Sequence, residues 1–568
     1  MIPVVPGAGL LVVAVVVTLL PRRLAHLVAA AATAAVGVWA ATVPAGTVVP
    51  ASLLGFEAVV VAVDPMSRIM ALIFTIAGTA AVGYAAFTDA SARQTGFALS
   101  YVATALGAVL AGDWLTLIIF WELMAVGSTL LVFDHGPSAT RPGFRYALYH
   151  AIGGSILMVA IVWHYTLVGS FLFDAATGIV GTGPQLLALV GMGVNVGFIG
   201  LHTWIPKTYP IPHVAASVFL SVFTTKTGVY GLARAFPDGQ PVLIAMGVLM
   251  ALVGVSYALI QTDMRRLLSY HIISQVGYML VGIGIGGALA TAGAFAHLFN
   301  NLLYKTLLFM VAGVVVIATG KHSLKQLGGI GRAVPVTAVL FTVAALSITG
   351  FPGFAGFISK GMITQAANYN GYPLVFYALL LAGVGTFMSF IKFGVYAFWP
   401  SDPTPVRSAP VRGHHTIMGA IAVACVAIGL QPQLLFDILP GSAATAKPFT
   451  VGHLAEGFIL AGLGLGGFVL TRAPLNRLIG LRDVDAITEP AVFRLTHGVV
   501  RLAAGSFQRV DTAVVAGVRR STRVLAGPLR SGRSGLDRLL STGGAGLQIG
   551  EATLVVLVSL AVVSLVVL

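Results

Sequence analysis

The chain has 568 residues, of which 57% are hydrophobic and only 9% charged, and its formal net charge is +14. A soluble domain usually carries about 25% charged residues, so this composition excludes a soluble monomer and favours a membrane protein. The Lys and Arg lie in short loops and one late segment, which indicates membrane topology and attraction to anionic lipid rather than binding of nucleic acid.

Apolar stretches of roughly 18 to 28 residues, each long enough to cross about 30 Å of hydrocarbon, recur along almost the whole chain. The first lacks the basic region and cleavage site of a signal peptide, so we interpret it as a membrane helix. The predicted fold is an all-α polytopic membrane protein. About sixteen spans are predicted, at residues 6–20, 24–45, 66–88, 96–112, 114–133, 143–170, 184–205, 213–234, 241–261, 267–287, 291–318, 334–366, 372–399, 413–437, 452–472 and 548–568.

The loops between these spans alternate in charge. One set carries nearly all the Lys and Arg, whereas the intervening set carries almost none apart from Arg234. The positive-inside rule predicts that the basic loops are cytoplasmic and that both termini lie outside. The basic set contains Arg22, Arg23, Arg93, Arg141, Arg145, Lys207, Arg265, Arg266, Lys321, Lys325, Arg332, Arg407, Arg412, Arg472 and Arg477.

Two spans are predicted to be broken. Two prolines and a polar stretch interrupt the apolar run between Ile205 and Pro212, and Pro352 lies between two glycines at residues 350–353. Non-helical backbone is tolerated at membrane depth only inside protein or beside a water-filled cavity, and broken helices in two halves indicate a transport site. An ordinary interhelical loop is the alternative, and it competes more strongly at the first break.

Residues 473–547 differ from everything before them. Arginines recur there, and apolar residues such as Val499, Val510 and Val514 return at helical spacing. This pattern predicts a basic amphipathic helix along the cytoplasmic membrane surface. A flexible cytoplasmic linker is the alternative.

Ionisable residues occur inside the predicted spans. Each charge at mid-membrane costs roughly 2.5 to 3.5 kcal/mol, so several of them indicate function or mutual pairing. Desolvation disfavours the charged form of a lysine, so lysines, histidines and a carboxylate joined by water can relay protons. Lys392 alone could instead extend to the interface. The candidates for the proton path are Glu122, Lys226, His297, Lys305 and Lys360, with Lys392, His414 and His415 as accessory residues.

Spacing places three of these polar residues on one helix face, because His297, Asn301 and Lys305 follow one another at intervals of four. The single cysteine, Cys425, lies in an apolar run, and no phosphate loop, nucleophile elbow or metal-ligand pair is recognisable. We therefore expect no metal, no cofactor and no catalytic motif in this chain, although it could belong to a redox-driven translocase.

Seven motifs resemble one known family, the antiporter-like proton-translocating subunits of respiratory complex I, membrane-bound hydrogenases and Mrp-type cation/proton antiporters. They occur in family order over roughly residues 60–400, and the stretch Lys-Thr-Gly-Val-Tyr looks most like the D-type subunit of Mrp antiporters. The motifs are Phe-Trp-Glu-Leu at 120–123, Leu-His-Thr-Trp-Ile-Pro at 201–206, Thr-Lys-Thr-Gly-Val-Tyr-Gly-Leu at 225–232, Asp-Met-Arg-Arg-Leu-Leu-Ser-Tyr at 263–270, Ile-Ser-Gln-Val-Gly-Tyr at 273–278, His-Leu-Phe-Asn-Asn-Leu-Leu-Tyr-Lys-Thr-Leu-Leu-Phe at 297–309 and Gly-Phe-Pro-Gly-Phe-Ala-Gly-Phe-Ile-Ser-Lys at 350–360.

The resemblance implies a core of about fourteen helices with two inverted five-helix repeats, each forming half of a proton channel. It matches Glu122 to the family's fifth-helix glutamate, Lys226 to the eighth-helix lysine and Lys305 to the lysine of the later repeat. The implied segments are the N-terminal helices (1–95), a first half-channel (96–234), a second half-channel (241–400), C-terminal core helices (413–472), a lateral helix (473–547) and a last membrane helix (548–568).

Two positions depart from the family pattern. The family has a lysine where this chain has Asn195, and a second histidine where it has Asn301. Without a charge at Asn195, Glu122 lacks its usual partner. Either Lys207, His202 or Lys226 substitutes, or the first half-channel is impaired.

The first functional hypothesis is a D-type component of a multisubunit Na+/H+ antiporter in the cell (inner) membrane, with other membrane subunits, lipids, protons and Na+ as partners and no nucleic acid. The second is a proton-pumping subunit of a complex I-like or hydrogenase-type redox complex. The third is a structural paralogue that no longer conducts.

Overall fold

The computed structural model describes residues 5–399, 404–408 and 412–477, together with the single residues 483, 494, 498, 501 and 505. Helices dominate this part of the chain, and one two-stranded sheet, β1 (Val48–Leu53) with β2 (Phe56–Ala62), accompanies them. The helices are α1 (Pro6–Leu19), α2 (Arg22–Thr42), α3 (Pro65–Ala86), α4 (Ala92–Leu110), α5 (Trp114–Phe133), α6 (Thr140–Val168), α7 (Thr182–Val196), α8 (Trp204–Thr208), α9 (Val214–Leu220), α10 (Thr224–Ala235), α11 (Pro241–Ile260), α12 (Met264–Ile285), α13 (Gly287–Thr319), α14 (Pro335–Thr349), α15 (Ala355–Tyr369), α16 (Pro373–Phe398), α17 (Arg412–Leu430), α18 (Gln433–Phe436) and α19 (Val451–Arg477).

The distribution of apolar and charged side chains between the exterior and the interior of the bundle is that of a membrane protein. Ten of the described helices are long and apolar enough to cross a bilayer, and α1 and α14 are shorter apolar helices. Large apolar side chains such as Leu19 and Leu374 are 81% and 84% exposed, whereas Lys226, His297 and Lys305 are fully buried. An apolar exterior around a polar interior suits lipid as the solvent. The predicted all-α polytopic fold is confirmed.

The first predicted break is present at residues 209–213, between α8 and α9, and a second interruption precedes it at residues 197–203. α7 ends at Val196, where Gly197 adopts the left-handed conformation (φ 80°) that commonly ends helices. Pro206, expected inside the break, lies in the short helix α8. A further interruption, at residues 221–223, separates α9 from α10 and was not predicted. The predicted spans 184–205 and 213–234 are therefore each two helices.

The second predicted break is confirmed. α14 ends at Thr349, Gly350 caps it with φ 82°, and α15 begins at Ala355. The reversal is tight, because a Cβ placed on Gly356 would overlap with the carbonyl oxygen of Ser347. Glycines thus permit both the turn and the close contact between the two helices.

The hairpin formed by β1 and β2 was also not predicted. Asp113 connects it to the helical bundle: one carboxylate oxygen accepts a hydrogen bond from the Val59 amide (2.7 Å), and the other caps α5 at the Thr116 amide (2.7 Å). This buried carboxylate fixes the start of the helix that carries Glu122.

The predicted lateral helix (473–547) and last span (548–568) lie almost wholly outside the described residues, since α19 is described to Arg477. The division of the chain into half-channels stays a prediction.

Candidate functional site

Two buried lysines contact the ends of interrupted helices. Nζ of Lys226 donates to the carbonyl oxygen of Ser221 (2.9 Å), the residue that caps the C-terminus of α9. Nζ of Lys360 donates to the carbonyl oxygen of Ile348 (2.8 Å), in the last turn of α14. The last carbonyls of a helix have no intrahelical partner and lie at the negative end of its dipole, so they stabilise an ammonium group without a carboxylate.

Lys392 and Lys305 are held in a related way. Nζ of Lys392 donates to the carbonyls of Leu259 (2.7 Å) and Gln261 (2.5 Å), at the C-terminal end of α11. Nζ of Lys305 donates to the carbonyl of Leu268 (2.7 Å) within α12. Lys392 is therefore bonded to carbonyls at the end of a full-length apolar helix, where a lysine that extends to the interface would also lie.

The buried lysines form one electrostatic group. Coulombic interactions link Lys305 to both Lys226 and Lys360, so the charge on each affects its neighbours. The group joins the break before α10 to the break before α15 through α13, the long helix that carries Lys305.

The predicted polar face of α13 is present and fully buried. Nδ1 of His297 is hydrogen-bonded to Oγ of Ser359 (3.1 Å), and Nδ2 of Asn301 donates to the hydroxyl of Tyr304 (3.2 Å). Nε2 of His297 and Oδ1 of Asn301 are buried without a hydrogen-bonding partner among the described residues. Buried polar atoms normally bind protein or ordered water, so these atoms are candidate water ligands.

Glu122 lies on α5 against α6. A Cβ placed on Gly154 would overlap with Oε1 of Glu122, so the glycine makes room for the carboxylate. Oε1 is buried and has no hydrogen-bonding partner within the described part of the chain. Of the three candidate partners, Lys226 donates to Ser221 instead, His202 lies in the segment before α8 and Lys207 lies on α8.

Asn195, the uncharged departure from the family pattern, pairs with a histidine. Oδ1 of Asn195 on α7 is hydrogen-bonded to Nδ1 of His150 on α6 (3.1 Å). The imidazole packs against Tyr146 and Trp204, with ring centroids 4.2 and 4.6 Å away. The titratable imidazole of His150 therefore lies next to Asn195, the position at which the family has a lysine. Sequence reasoning missed His150, since a single histidine on a mostly apolar helix gives no distinctive signal.

A hydroxyl network reaches the start of α10. The hydroxyl of Thr224, two residues before Lys226, lies 2.6 Å from that of Tyr101 and 3.0 Å from that of Tyr146. The Tyr146 hydroxyl in turn donates to Oγ of Ser128 (2.9 Å). The network joins α4, α5, α6 and α10, and it was not predicted.

A second unpredicted histidine lies among the lysines. Nε2 of His271 on α12 is hydrogen-bonded to Oγ of Ser389 (2.8 Å), and coulombic interactions link it to Lys305, Lys360 and Lys392. Its Nδ1 has no protein partner among the described residues. His271 thus lies between the lysine of α13 and that of α16.

The accessory histidines of α17 have other surroundings. His414 is buried against the rings of Tyr84 and Phe87, at 5.0 and 6.0 Å. Nε2 of His415 is hydrogen-bonded to the hydroxyl of Thr337 (3.2 Å). Within the described ranges, no group of three His, Cys, Asp or Glu residues could hold a metal ion.

A membrane bundle with interrupted helices and a buried row of lysines and histidines defines a polytopic protein with an ionisable interior. Residues 111–389 match the family described as NADH:quinone oxidoreductase/Mrp antiporter, TM. The D-type subunit of the Na+/H+ antiporter of Alkalihalophilus pseudofirmus is 30% identical over 364 residues, which are 60% of this chain and 73% of that protein. The chain belongs to this NADH:quinone oxidoreductase/Mrp antiporter family, as its motifs predicted.

Solved structures share the fold. A chain of the Mrp complex from Dietzia sp. DQ12-45-1b matches with a TM-score of 0.79 and 22% identity, over 99% of this chain and 66% of that one. A chain of respiratory complex I from Thermus thermophilus with bound NADH matches with a TM-score of 0.70 and 21% identity, over 81% of this chain and 98% of that one.

The contacts of Lys392 generate a stability prediction. Lys392→Met removes the donor to two helix-end carbonyls, and a partly buried polar group without a partner costs about 1–3 kcal/mol. We expect a lower midpoint for heat-induced loss of the folded protein in detergent, measured by size-exclusion chromatography after heating. Lys447→Met, at an exposed loop position, is the control and should leave the midpoint unchanged. Equal midpoints for the two variants would contradict the assigned contact.

Proposed function

We propose that this chain is a proton-conducting, cation/proton-exchanging subunit of a multisubunit Na+/H+ antiporter in the cell membrane. The observation that carries the proposal is the buried row of lysines whose ammonium groups are held by backbone carbonyls. The likeness to the D-type subunit of a Na+/H+ antiporter supports the exchanged ions, protons and Na+.

Carbonyl partners suit a lysine that must change its protonation state. A buried ammonium in direct contact with a carboxylate is favoured in its charged form, because removing one charge alone leaves the other uncompensated. A carbonyl oxygen accepts a hydrogen bond from an ammonium and from a neutral amine alike. Lys226, Lys305 and Lys360 can therefore lose and regain a proton while they keep their contacts.

Electrostatic repulsion between neighbouring lysines couples the protonation of one lysine to the release of a proton from the next. Lys305 interacts electrostatically with Lys226 and Lys360, so a proton arriving at one of them favours release from the next. Between them, Nε2 of His297 and Oδ1 of Asn301 offer the polar partners that a bridging water needs. In this proposal the proton moves along α13 through lysine, water and imidazole.

In the first half, Glu122 acts as a modulating carboxylate. The pair formed by His150 and Asn195 occupies the place of the missing lysine, and the hydroxyls around Thr224 connect that region with the start of α10. Imidazole and hydroxyl groups both exchange protons, so this half can conduct without a charge at Asn195.

We propose further that the chain works with other membrane subunits and with lipid around it. Subunits of the Mrp complex and of complex I share its fold, which supports assembly as the working state. We propose the cell membrane as its location, with the basic loops in the cytoplasm as the positive-inside rule predicts.

We expect Lys226→Ala and Lys305→Ala each to abolish antiport, because each removes one proton-carrying group from the row. The measurement is Na+-dependent collapse of a pH gradient in everted membrane vesicles, with assembly of the complex checked by native electrophoresis. Lys447→Ala, on an exposed loop, should transport normally. Wild-type transport by both lysine variants in an assembled complex would remove the roles assigned to these side chains.

The uncharged Asn195 favours one competing function, a structural paralogue whose first half no longer conducts. Under our proposal, Glu122→Gln lowers antiport and Asn195→Lys changes it, because the new ammonium would lie beside His150. The same vesicle assay applies. Transport that is indifferent to both substitutions would mean that the first half is structural.

Likeness in fold to a chain of respiratory complex I favours a second candidate, a proton-pumping subunit of a redox complex. Purification in mild detergent distinguishes the two. Co-purified redox subunits would favour this candidate, and antiporter subunits alone would favour the first.

A further inference from the structure

Carboxylates are rare inside the described helices. Among the acidic residues that the structure describes, Glu122 on α5 and Glu456 on α19 are the two that lie within a helix; the others lie in strands, loops or helix caps. The motifs of the sequence did not single out Glu456, and the proposed proton path does not use it. A carboxylate on a helix that borders lipid needs a physical reason.

Glu456 and Lys360 line the same small cavity. It lies between α15, α16 and α19, has a volume of about 30 Å³, and is bordered also by Tyr278, Thr349 and Thr364. A cavity needs roughly 10–15 Å³ to hold one water molecule, so one or two waters fit here and the lining supplies their partners.

Tyr278 is a neighbour of both groups in this cavity. Nζ of Lys360 is 4.9 Å from the centre of its ring, and a coulombic interaction links the same tyrosine to Glu456. The Tyr278 hydroxyl is fixed by donation to the carbonyl of Leu379 (2.6 Å). Tyr278, Lys360 and Glu456 thus all line this cavity, and the phenol ring contacts the ammonium group.

A second, larger cavity begins on the other side of Glu456. It has a volume of about 440 Å³ and lies between α16 and α19, with mainly apolar walls that include Leu381, Ile459 and Leu463. The side chains of these three residues are 62%, 59% and 55% exposed, so the cavity opens towards the outside of the bundle. Glu456 borders both this groove and the Lys360 cavity, together with the apolar residues Leu380 and Leu460.

Glu456 is also close to one end of its helix. It is the sixth residue of α19, and at about 1.5 Å per residue it lies about 8 Å from the start. The loop before α19 is on the side that the charge rule predicts to be outer. A group there can exchange protons with water at the membrane surface.

We propose that Glu456 is a proton-exchanging carboxylate that connects Lys360 with water at the membrane surface near the start of α19. This inference rests on the proposed function. A proton leaves the Lys360 ammonium for cavity water, and the Glu456 carboxylate takes up a proton from that water. The products are a neutral amine and a neutral carboxylic acid, which the membrane interior accepts more readily than two charges. Glu456 then releases its proton to water at the surface, and Lys360 is reprotonated from the row of lysines.

Two measurements on the assembled complex test this role. The first is vesicle antiport by Glu456→Gln, Glu456→Asp and the control Glu57→Gln, whose residue is exposed on β2. We expect the Gln variant to lose activity by about 10²-fold, the usual scale for a proton-transferring group, with substantial recovery in the Asp variant and none of this loss in the control. The second is labelling of the wild-type complex with dicyclohexylcarbodiimide, which modifies protonated carboxyl groups in apolar surroundings, followed by mass spectrometry. We expect modification of Glu456 and a parallel loss of antiport.

The outcomes separate this inference from the function on which it rests. If Glu456→Gln transports like wild type while Lys226→Ala does not, Glu456 has no transport role and the proposed function stands. Loss of activity in the Gln variant without recovery in the Asp variant, combined with an unlabelled Glu456 in the wild-type complex, would identify a structural residue and overturn the inference. If none of the variants changes antiport, both proposals fail.

Discussion

The hydrogen bond between a buried ammonium group and the carbonyl oxygens at a helix end is the interaction on which the interior of this protein depends. An isolated charge at membrane depth is expensive, and a carboxylate in direct contact with it would favour its charged form. The C-terminal end of a helix offers partial negative charge and unpaired acceptors at once. Lys226, Lys360 and Lys392 each use such an end, so these lysines can be buried and remain chemically active.

The helix ends used by Lys226 and Lys360 exist because helices are interrupted there, whereas Lys392 uses the end of the uninterrupted helix α11. Gly350 and Pro352 end α14 before it completes its span, and the turn at residues 221–223 ends α9 in the same way. Each break exposes carbonyls to a lysine of the helix that follows it. The fold therefore creates the site directly, because the interruption of a helix provides the carbonyl groups that stabilise the buried ammonium.

Most of the helices and the buried lysines could be predicted from the sequence, because apolar runs fix the spans and a charge within such a run is conspicuous. The break at Gly350 could be predicted because Pro352 lies there between two glycines. The break at residues 221–223 contains neither, and a contact distant in the chain accompanies it, the hydrogen bond from the Thr224 amide to the Tyr101 hydroxyl (2.9 Å). His150, His271 and Glu456 were missed for a related reason: no spacing in the sequence distinguishes them, and their importance comes from neighbours distant in the chain. His150 becomes significant beside Asn195, and Glu456 beside Lys360.

The central claim is that the buried lysines are joined by water within a proton path. The most direct measurement is a cryo-electron-microscopy map of the assembled complex in a lipid nanodisc, at a resolution that reveals ordered water. We predict water density at Nε2 of His297 and Oδ1 of Asn301, in hydrogen-bonded continuity between Lys305 and Lys360. Well-defined side chains in this region with no water between them, or lysines that face lipid, would contradict it.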